Sequence, residues 1–272
     1  MRRQGFTLIE LSIVLVIIGL LVGGVMVGQS LIRASEMRSV ITEINQYKSV
    51  FYAFRDKFNA LPGDMRNAEN FWGEIDPDPE TCRTTLGTGT QTCNGDGNGK
   101  ITGYPGGGTE VFRVWQHISN AQLLPVIYTG VTGPDSAHYD GELGKNIPAS
   151  RISGTGYSIY YWGIQGVDFP NGQSWAVVYP GVQVIFPGID YGNAIIFGQY
   201  VNNSFTTGAT LTPNEAHSID IKFDDGFAGK GKVTPFTNDF RDTNCTTTSD
   251  NSAEYDGSYD AIGCSLLFIT GF

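Results

Sequence analysis

Residues 2–27 read RRQGFTLIELSIVLVIIGLLVGGVMV, a stretch in which two arginines precede a long apolar run. Between residues 6 and 27, Glu10 is the only charged side chain. At about 1.5 Å per residue, a helix over this run is roughly 33 Å long, which matches the hydrocarbon core of a bilayer. A secretory signal peptide is shorter and ends at an A-x-A-like site, which does not follow here. We therefore predict a membrane-spanning helix with its N-terminus in the cytoplasm.

Apolar residues recur at helical spacing in the segment that follows, residues 29–60. No proline interrupts the chain before Pro62, so we predict one helix from about residue 7 to about residue 59, roughly 80 Å long. The apolar positions form one stripe: Leu31, Val40, Ile44, Tyr47, Phe51, Phe54 and Phe58. Charged residues are interleaved with them, which is typical of an amphipathic helix with a covered face.

Four glycines lie in the apolar part of this helix, at positions 19, 23, 24 and 28. Their G-x-x-x-G spacings allow other helices to approach closely. Small residues are also common in membrane helices that have no such partner. Each glycine weakens the helix by about 1 kcal/mol, so this region could stretch or melt.

The remainder, residues 61–272, has the composition of a loop-rich globular head. The chain contains 36 glycines and 12 prolines, and its formal net charge is −10. This acidity argues against a nucleic-acid partner. Cys82, Cys93, Cys245 and Cys264 have no CxxC spacing, and proximity favours the pairs Cys82–Cys93 and Cys245–Cys264. Such disulfides would place the head in an oxidising compartment, and four free core thiols are the alternative.

The head is predicted to be α+β. Residues 109–125 and 212–226 have helical patterns, and the second begins with a capping box formed by Thr212 and Glu215. Residues 156–164, 174–179, 182–186 and 194–201 are rich in β-branched and aromatic residues between Gly/Pro turns, which predicts strands. Short connections favour antiparallel pairing. The tail, from residue 233 on, ends in an apolar run at 266–269.

No enzyme motif is present, and G-x-S-x-G and H-E-x-x-H do not occur. The stretch GFAGKGKV, residues 226–233, approaches a phosphate-binding loop but lacks the Ser or Thr that holds magnesium. His117, His138 and His217 are widely spaced, so surface or hydrogen-bonded structural roles are favoured over a shared site.

A candidate calcium loop lies at NGDGNGKI, residues 94–101. Asn94, Asp96 and Asn98 occupy alternate positions, as in the first half of an EF-hand loop, and the carbonyl of Lys100 would be the next ligand. The usual twelfth-position Glu is replaced by proline, and Glu110 is the nearest downstream carboxylate. The alternative is a flexible Asn/Gly turn beside a disulfide.

The basic leader followed by GFTLIE resembles the signal of type IV prepilins and type II secretion pseudopilins. The resemblance covers about the first thirty residues, and the head resembles larger bacterial pilins more weakly. It implies that a prepilin peptidase cuts after Gly5 and methylates the new N-terminal residue, Phe6. The frequent proline in the middle of the family's membrane helix is replaced here by glycines. The implied fold is pilin-like, with a long N-terminal helix packed on an antiparallel sheet and a disulfide-closed C-terminal region.

Glu10 then has a candidate partner. A lone Glu in a membrane costs about 2.5–3.5 kcal/mol on insertion scales, and a paired charge is tolerated better. The resemblance implies that Glu10 pairs with the Phe6 amine of a neighbouring subunit during assembly. Pairing within one chain is the alternative, since the two residues are one helical turn apart.

These observations predict a leader at residues 1–5, a membrane or filament-core helix at 6–28, an amphipathic half at 29–60 and a head at 61–272. The expected function is a non-enzymatic subunit of a type IV pilus-like filament. Its partners would be copies of itself, the prepilin peptidase and an inner-membrane assembly platform. It would lie in the inner membrane before assembly and in a periplasmic or surface filament afterwards. A pseudopilin of a type II secretion system, or a membrane-anchored periplasmic binding protein or enzyme, are the alternatives.

Overall fold

The computed structural model describes residues 7–82, 84–103, 110–134, 140–163, 186, 189–202, 204–236, 244–248 and 250–272. Five helices and four strands follow in chain order within these ranges: α1 Leu8–Phe58, α2 Glu69–Trp72, α3 Pro79–Cys82, α4 Glu110–Asn120, β1 Thr155–Tyr161, β2 Asn193–Gln199, α5 Pro213–Phe223, β3 Val233–Phe236 and β4 Ser265–Ile269. The class is α+β, as the sequence predicts.

Helix α1 is one continuous helix of 51 residues, which confirms the prediction of a single long helix. We call α1 the stalk. Thr7 caps its start, and Asn59 ends it in the left-handed conformation with φ 53°. The predicted stripe enters the core from Val40 on, and Val40, Ile44 and Phe54 are fully buried. Its first member, Leu31, is 65% exposed and lies outside the core. Most of the stability of a helix in a protein comes from the packing of its apolar face, and the head covers that face in this half of α1.

The four strands form one antiparallel sheet in the order β1-β2-β4-β3. Tyr157 of β1 pairs with Phe197 of β2, and Leu266 of β4 pairs with the same residue from the other side. Tyr47 of α1 contacts the ring of Tyr157 at 5.0 Å and that of Trp115 in α4 at 5.3 Å. The core therefore lies between the sheet, α1 and α4.

Two predicted strands, at 174–179 and 182–186, fall outside the described residues except for Phe186. The predicted strands at 156–164 and 194–201 correspond to β1 and β2. Sequence reasoning left β3 without a strand assignment, because it is only four residues long and contains Pro235. The apolar run at 266–269 is β4, a central strand that is buried on both faces.

The structure joins Cys82 to Cys93 and Cys245 to Cys264, with Cα atoms 6.2 and 5.1 Å apart. Cys264 lies directly before β4, and its backbone also exchanges hydrogen bonds with Leu211. The second disulfide therefore fastens the segment around residue 245 to a central strand of the sheet.

We expect Cys245→Ser to lower the free energy of unfolding by about 3 kcal/mol, because the chain-entropy model gives that value for a loop of this length. Thermal melting of the full chain in detergent, under oxidising conditions, measures the effect. Under a strong reductant the variant and the wild type should melt alike. Two free thiols at positions 245 and 264 in the native protein would contradict this account.

Candidate functional site

The N-terminal half of α1 forms the largest exposed apolar surface in the described part of the chain. Every described residue before Arg33 is exposed except Gly28, which is half-buried, and the first buried residue is Met37. Leu8 is 90% exposed and Leu20 is 73% exposed. α1 is the one helix among the described residues that is long and apolar enough to cross a membrane. An exposed apolar surface of this size marks a membrane or protein contact.

Glu10 takes part in a capping box at the start of this surface. The backbone N–H and the hydroxyl of Thr7 donate to Glu10 Oε2 at 2.8 and 2.7 Å, and the Glu10 N–H points to Thr7 Oγ1 at 3.3 Å. The carboxylate therefore has partners within its own chain, which lowers the cost of an acidic group at the apolar end of the helix. Gly5 and Phe6 lie outside the described residues, so pairing with the Phe6 amine stays a prediction.

The predicted calcium loop lies against the start of α4. Carboxylate oxygens of Asp64, Asp96 and Glu110 lie within 4.8 Å of one another, and they form what we call the carboxylate trio. Asp64 and Glu110 are buried, with 4% and 0% exposure, whereas Asp96 is exposed. Of the predicted ligands, only Asp96 contributes to the trio. Glu110 was considered from sequence as an additional ligand, and Asp64 was missed.

The other predicted calcium ligands have different contacts. The Asn94 side chain accepts from the Glu69 N–H at 3.1 Å and donates to the Glu69 carboxylate at 2.6 Å. Asn98 donates to Asp96 at 2.7 Å and accepts from the Lys100 N–H at 2.7 Å. The Lys100 ammonium lies 4.5 Å from the centre of the Tyr161 ring.

Backbone donors hold two carboxylates of the trio in place. Asp64 accepts from the N–H groups of Asn98 and Gly99 at 3.0 and 2.8 Å. Glu110 accepts from the N–H groups of Asp96 and Thr102 at 3.1 and 2.9 Å. The loop is thus wrapped around two fixed acids, and Gly97 and Gly99 supply the positive φ angles that the wrapping requires.

Two members of the trio, Asp64 and Glu110, have raised pKa values, and burial is the main cause of both shifts. Burial, reinforced by the charges of Asp64 and Asp96, raises the pKa of Glu110 to about 8, and burial also raises the pKa of Asp64. Buried carboxylates that lie this close together, such as Asp64 and Glu110, either hold a proton or bind a cation. Oxygen-only ligands suit a hard cation such as calcium.

The histidine that sequence reasoning placed on α4 is structural. His117 is fully buried, accepts from the Gly63 N–H through Nδ1 at 3.0 Å and contacts Thr92 Oγ1 through Nε2 at 2.9 Å. Burial, with a smaller contribution from the charge of Arg113, lowers the pKa of His117 to about 3. It stays neutral at physiological pH, and the Gly63 N–H on Nδ1 leaves the proton on Nε2, so this ring is no general base.

Residues 226–233, whose sequence approaches a phosphate-binding loop, lie beside acidic side chains in the structure. The N–H of Lys232 donates to the carboxylate of Asp224, so this backbone donor already has an anionic partner within the chain. Asp220 and Asp225 lie beside Asp224 with their carboxylates within 4.8 Å. Three acids at this turn would repel a phosphate group.

A comparison with protein families supports the resemblance of the first residues to a prepilin signal. The model of one protein family, described as the prokaryotic N-terminal methylation motif, matches residues 1–26. Searches of curated proteins and of solved structures returned no match. The motif is the signal of type IV pilins and pseudopilins, and it implies processing by a prepilin peptidase.

Proposed function

We propose that this chain is a structural subunit of a type IV pilus-like filament, assembled from the inner membrane after its leader is removed. The observation that carries the proposal is the bare apolar half of α1, which follows a methylation motif and precedes a head that covers only the other half of the helix. Such a stalk spans a membrane in the precursor. In a filament, the same surface packs against the stalks of other copies.

A pseudopilin of a type II secretion system would share all these features. The large head favours a pilus with an exposed surface, because residues 61–272 would project from the filament. Electron microscopy of surface filaments, together with an assay of secreted enzymes in a strain that lacks this chain, separates the two. Loss of filaments with normal secretion supports the pilus, and the reverse result supports the pseudopilin.

A membrane-anchored periplasmic binding protein or enzyme is a different class of function. It would keep its leader and would need a concave site with convergent polar groups. On α4, both ring nitrogens of the buried His117 are already engaged, by the Gly63 N–H and by Thr92 Oγ1. The methylation motif indicates a structural protein.

We propose in addition that the head binds calcium at the carboxylate trio. The proposed ligands are Asp64, Asp96 and Glu110, with Asn98 beside them. This set replaces the one predicted from the sequence of the loop, which was Asn94, Asp96, Asn98 and the Lys100 carbonyl. Two of the three carboxylates are already held by backbone donors, so little ordering is needed on binding. A dissociation constant of about 10⁻⁴–10⁻³ M suits an extracellular site of this kind.

We expect about 10 mM calcium to raise the melting temperature of the full chain by roughly 3–10 °C relative to chelator. Mass action gives about 1.4–2.7 kcal/mol at 10 to 100 times the dissociation constant, and a domain of this size shifts by about 2–4 °C per kcal/mol. Asp96→Ala should abolish the shift, whereas Asp260→Ala, which removes an exposed acid elsewhere, should not. Coincident melts with calcium and chelator would show that the loop is only a turn.

The same experiment has a pH dependence. The folded pKa of Glu110 is about 8, above its ordinary value of 4.5, so the folded state binds more protons than the unfolded state between these values. In chelator, stability should therefore fall as pH rises through this window. Calcium takes the place of the protons, so its stabilising effect should be largest at the alkaline end.

A further inference from the structure

Among the described residues, Arg33 is the first position of α1, counted from the N-terminus, whose side chain hydrogen-bonds to the head. Its Nε and Nη2 atoms donate to the two carboxylate oxygens of Glu215 at 2.6 and 2.8 Å, and Nη2 also donates to the Thr210 carbonyl at 3.0 Å. The helix before Arg33 is exposed, and the first fully covered residue, Met37, comes one turn later. The bidentate pair between Arg33 and Glu215 therefore lies at the boundary between the exposed part of α1 and the part that the head covers.

Both members of the pair keep a partner when the pair is broken. Arg33 Nη1 donates to Glu36 on the same helix at 3.0 Å, and Glu215 Oε2 accepts from the Thr212 N–H at 3.0 Å as part of the α5 capping box. A broken ion pair is most destabilising when it leaves a buried charge without a partner, and that does not happen here. The pair can be removed without unfolding the head.

We propose that Arg33 is a positioning residue, which holds α5 and the adjacent edge of the head against α1 at the level where the bare helix begins, next to the core packing that attaches the rest of the head. This inference rests on the proposed filament function, because it is in a filament that the arrangement has a consequence. Stalks that pack side by side bring their heads into contact in one register only if every head leaves its stalk in the same way. The Arg33 fork is bidentate, and a bidentate arginine pair fixes orientation as well as distance.

The first test measures filament yield and melting temperature together. Arg33→Ala should lower the yield about tenfold or more while changing the melting temperature no more than Thr212→Ala, which removes the cap but leaves Glu215 available to Arg33. Arg33→Lys keeps the positive charge but cannot form the bidentate pair, so its filament yield should lie between those of Arg33→Ala and the wild type. Arg38→Ala, which removes an exposed arginine on the same helix, should behave as wild type.

The inference is wrong if Arg33→Ala assembles like Arg38→Ala, or if its yield falls only in proportion to a lower melting temperature. A second measurement does not depend on filaments. Spin labels at Leu31→Cys on the stalk and Ser218→Cys on α5 should give one narrow distance distribution in the full chain, and Arg33→Ala should broaden it. An unchanged distribution would overturn the inference even if wild-type filaments form, whereas wild-type chains that never form filaments would count against the proposed function alone.

Discussion

Glu10→Ala is expected to be processed and inserted normally but to lose filament assembly almost completely. Without a carboxylate the helix inserts more easily, by less than the roughly 2.5–3.5 kcal/mol that insertion scales give for an unpaired charge at a helix centre, because Glu10 lies near the helix end and has Thr7 as a partner. In the filament, however, the Phe6 amine of a neighbouring subunit would lose its partner. Breaking a buried pair costs about 3–5 kcal/mol, and each 1.4 kcal/mol is a tenfold change, so the assembly equilibrium should fall by a factor between about 10² and about 4 × 10³.

The capping box calls for a control, because Glu10 also binds Thr7. Thr7→Ala removes the capping hydroxyl and keeps the carboxylate. Loss of a cap costs about 1 kcal/mol, so this variant should lose roughly fivefold in assembly. Counting filaments by electron microscopy at matched membrane levels compares the two variants. Normal filament yield from Glu10→Ala would refute the pairing role, and equal losses in both variants would assign the effect to the cap.

Gly5→Leu is expected to leave the full-length precursor in the membrane. The methylation motif implies processing by a prepilin peptidase, and we expect that peptidase to accept only a small side chain next to the bond it cuts, for which leucine is too large. The block should be nearly complete on an immunoblot that resolves precursor from mature chain. Gly5→Ala is the matched control, since alanine is the smallest side chain that can be added, and it should retain measurable cleavage. Normal processing of Gly5→Leu would contradict the identification of the cut.

Local patterns in the sequence predicted much of the fold. The apolar stripe that ends near Phe58 defined α1, the Thr212 and Glu215 pair defined the start of α5, and the close cysteine pairs matched the disulfides. Each of these features depends on residues that are near one another in the chain. Periodicity and capping are local effects, so they can be read without knowing the tertiary structure.

Features that depend on distant residues could not be read in the same way. β3 pairs with β4 across about thirty residues, and four residues with a proline carry too little pattern to predict a strand. Asp64, in the turn that follows α1, contacts the loop at residues 94–101. Nothing in the sequence around Asn94 indicates that Asp64 lies there. The alternating Asn and Asp residues of the loop indicated oxygen ligands, but the tertiary structure determines which carboxylates lie close together.

If this chain is a processed filament subunit, as we propose, mass spectrometry of the purified native protein will locate its mature N-terminus. We predict a mature chain that begins at Phe6 and carries one methyl group on its α-amine. A mature chain of this kind is what assembly through Glu10 requires. A chain that retains an intact Met1 in assembled or membrane-extracted material would contradict the account.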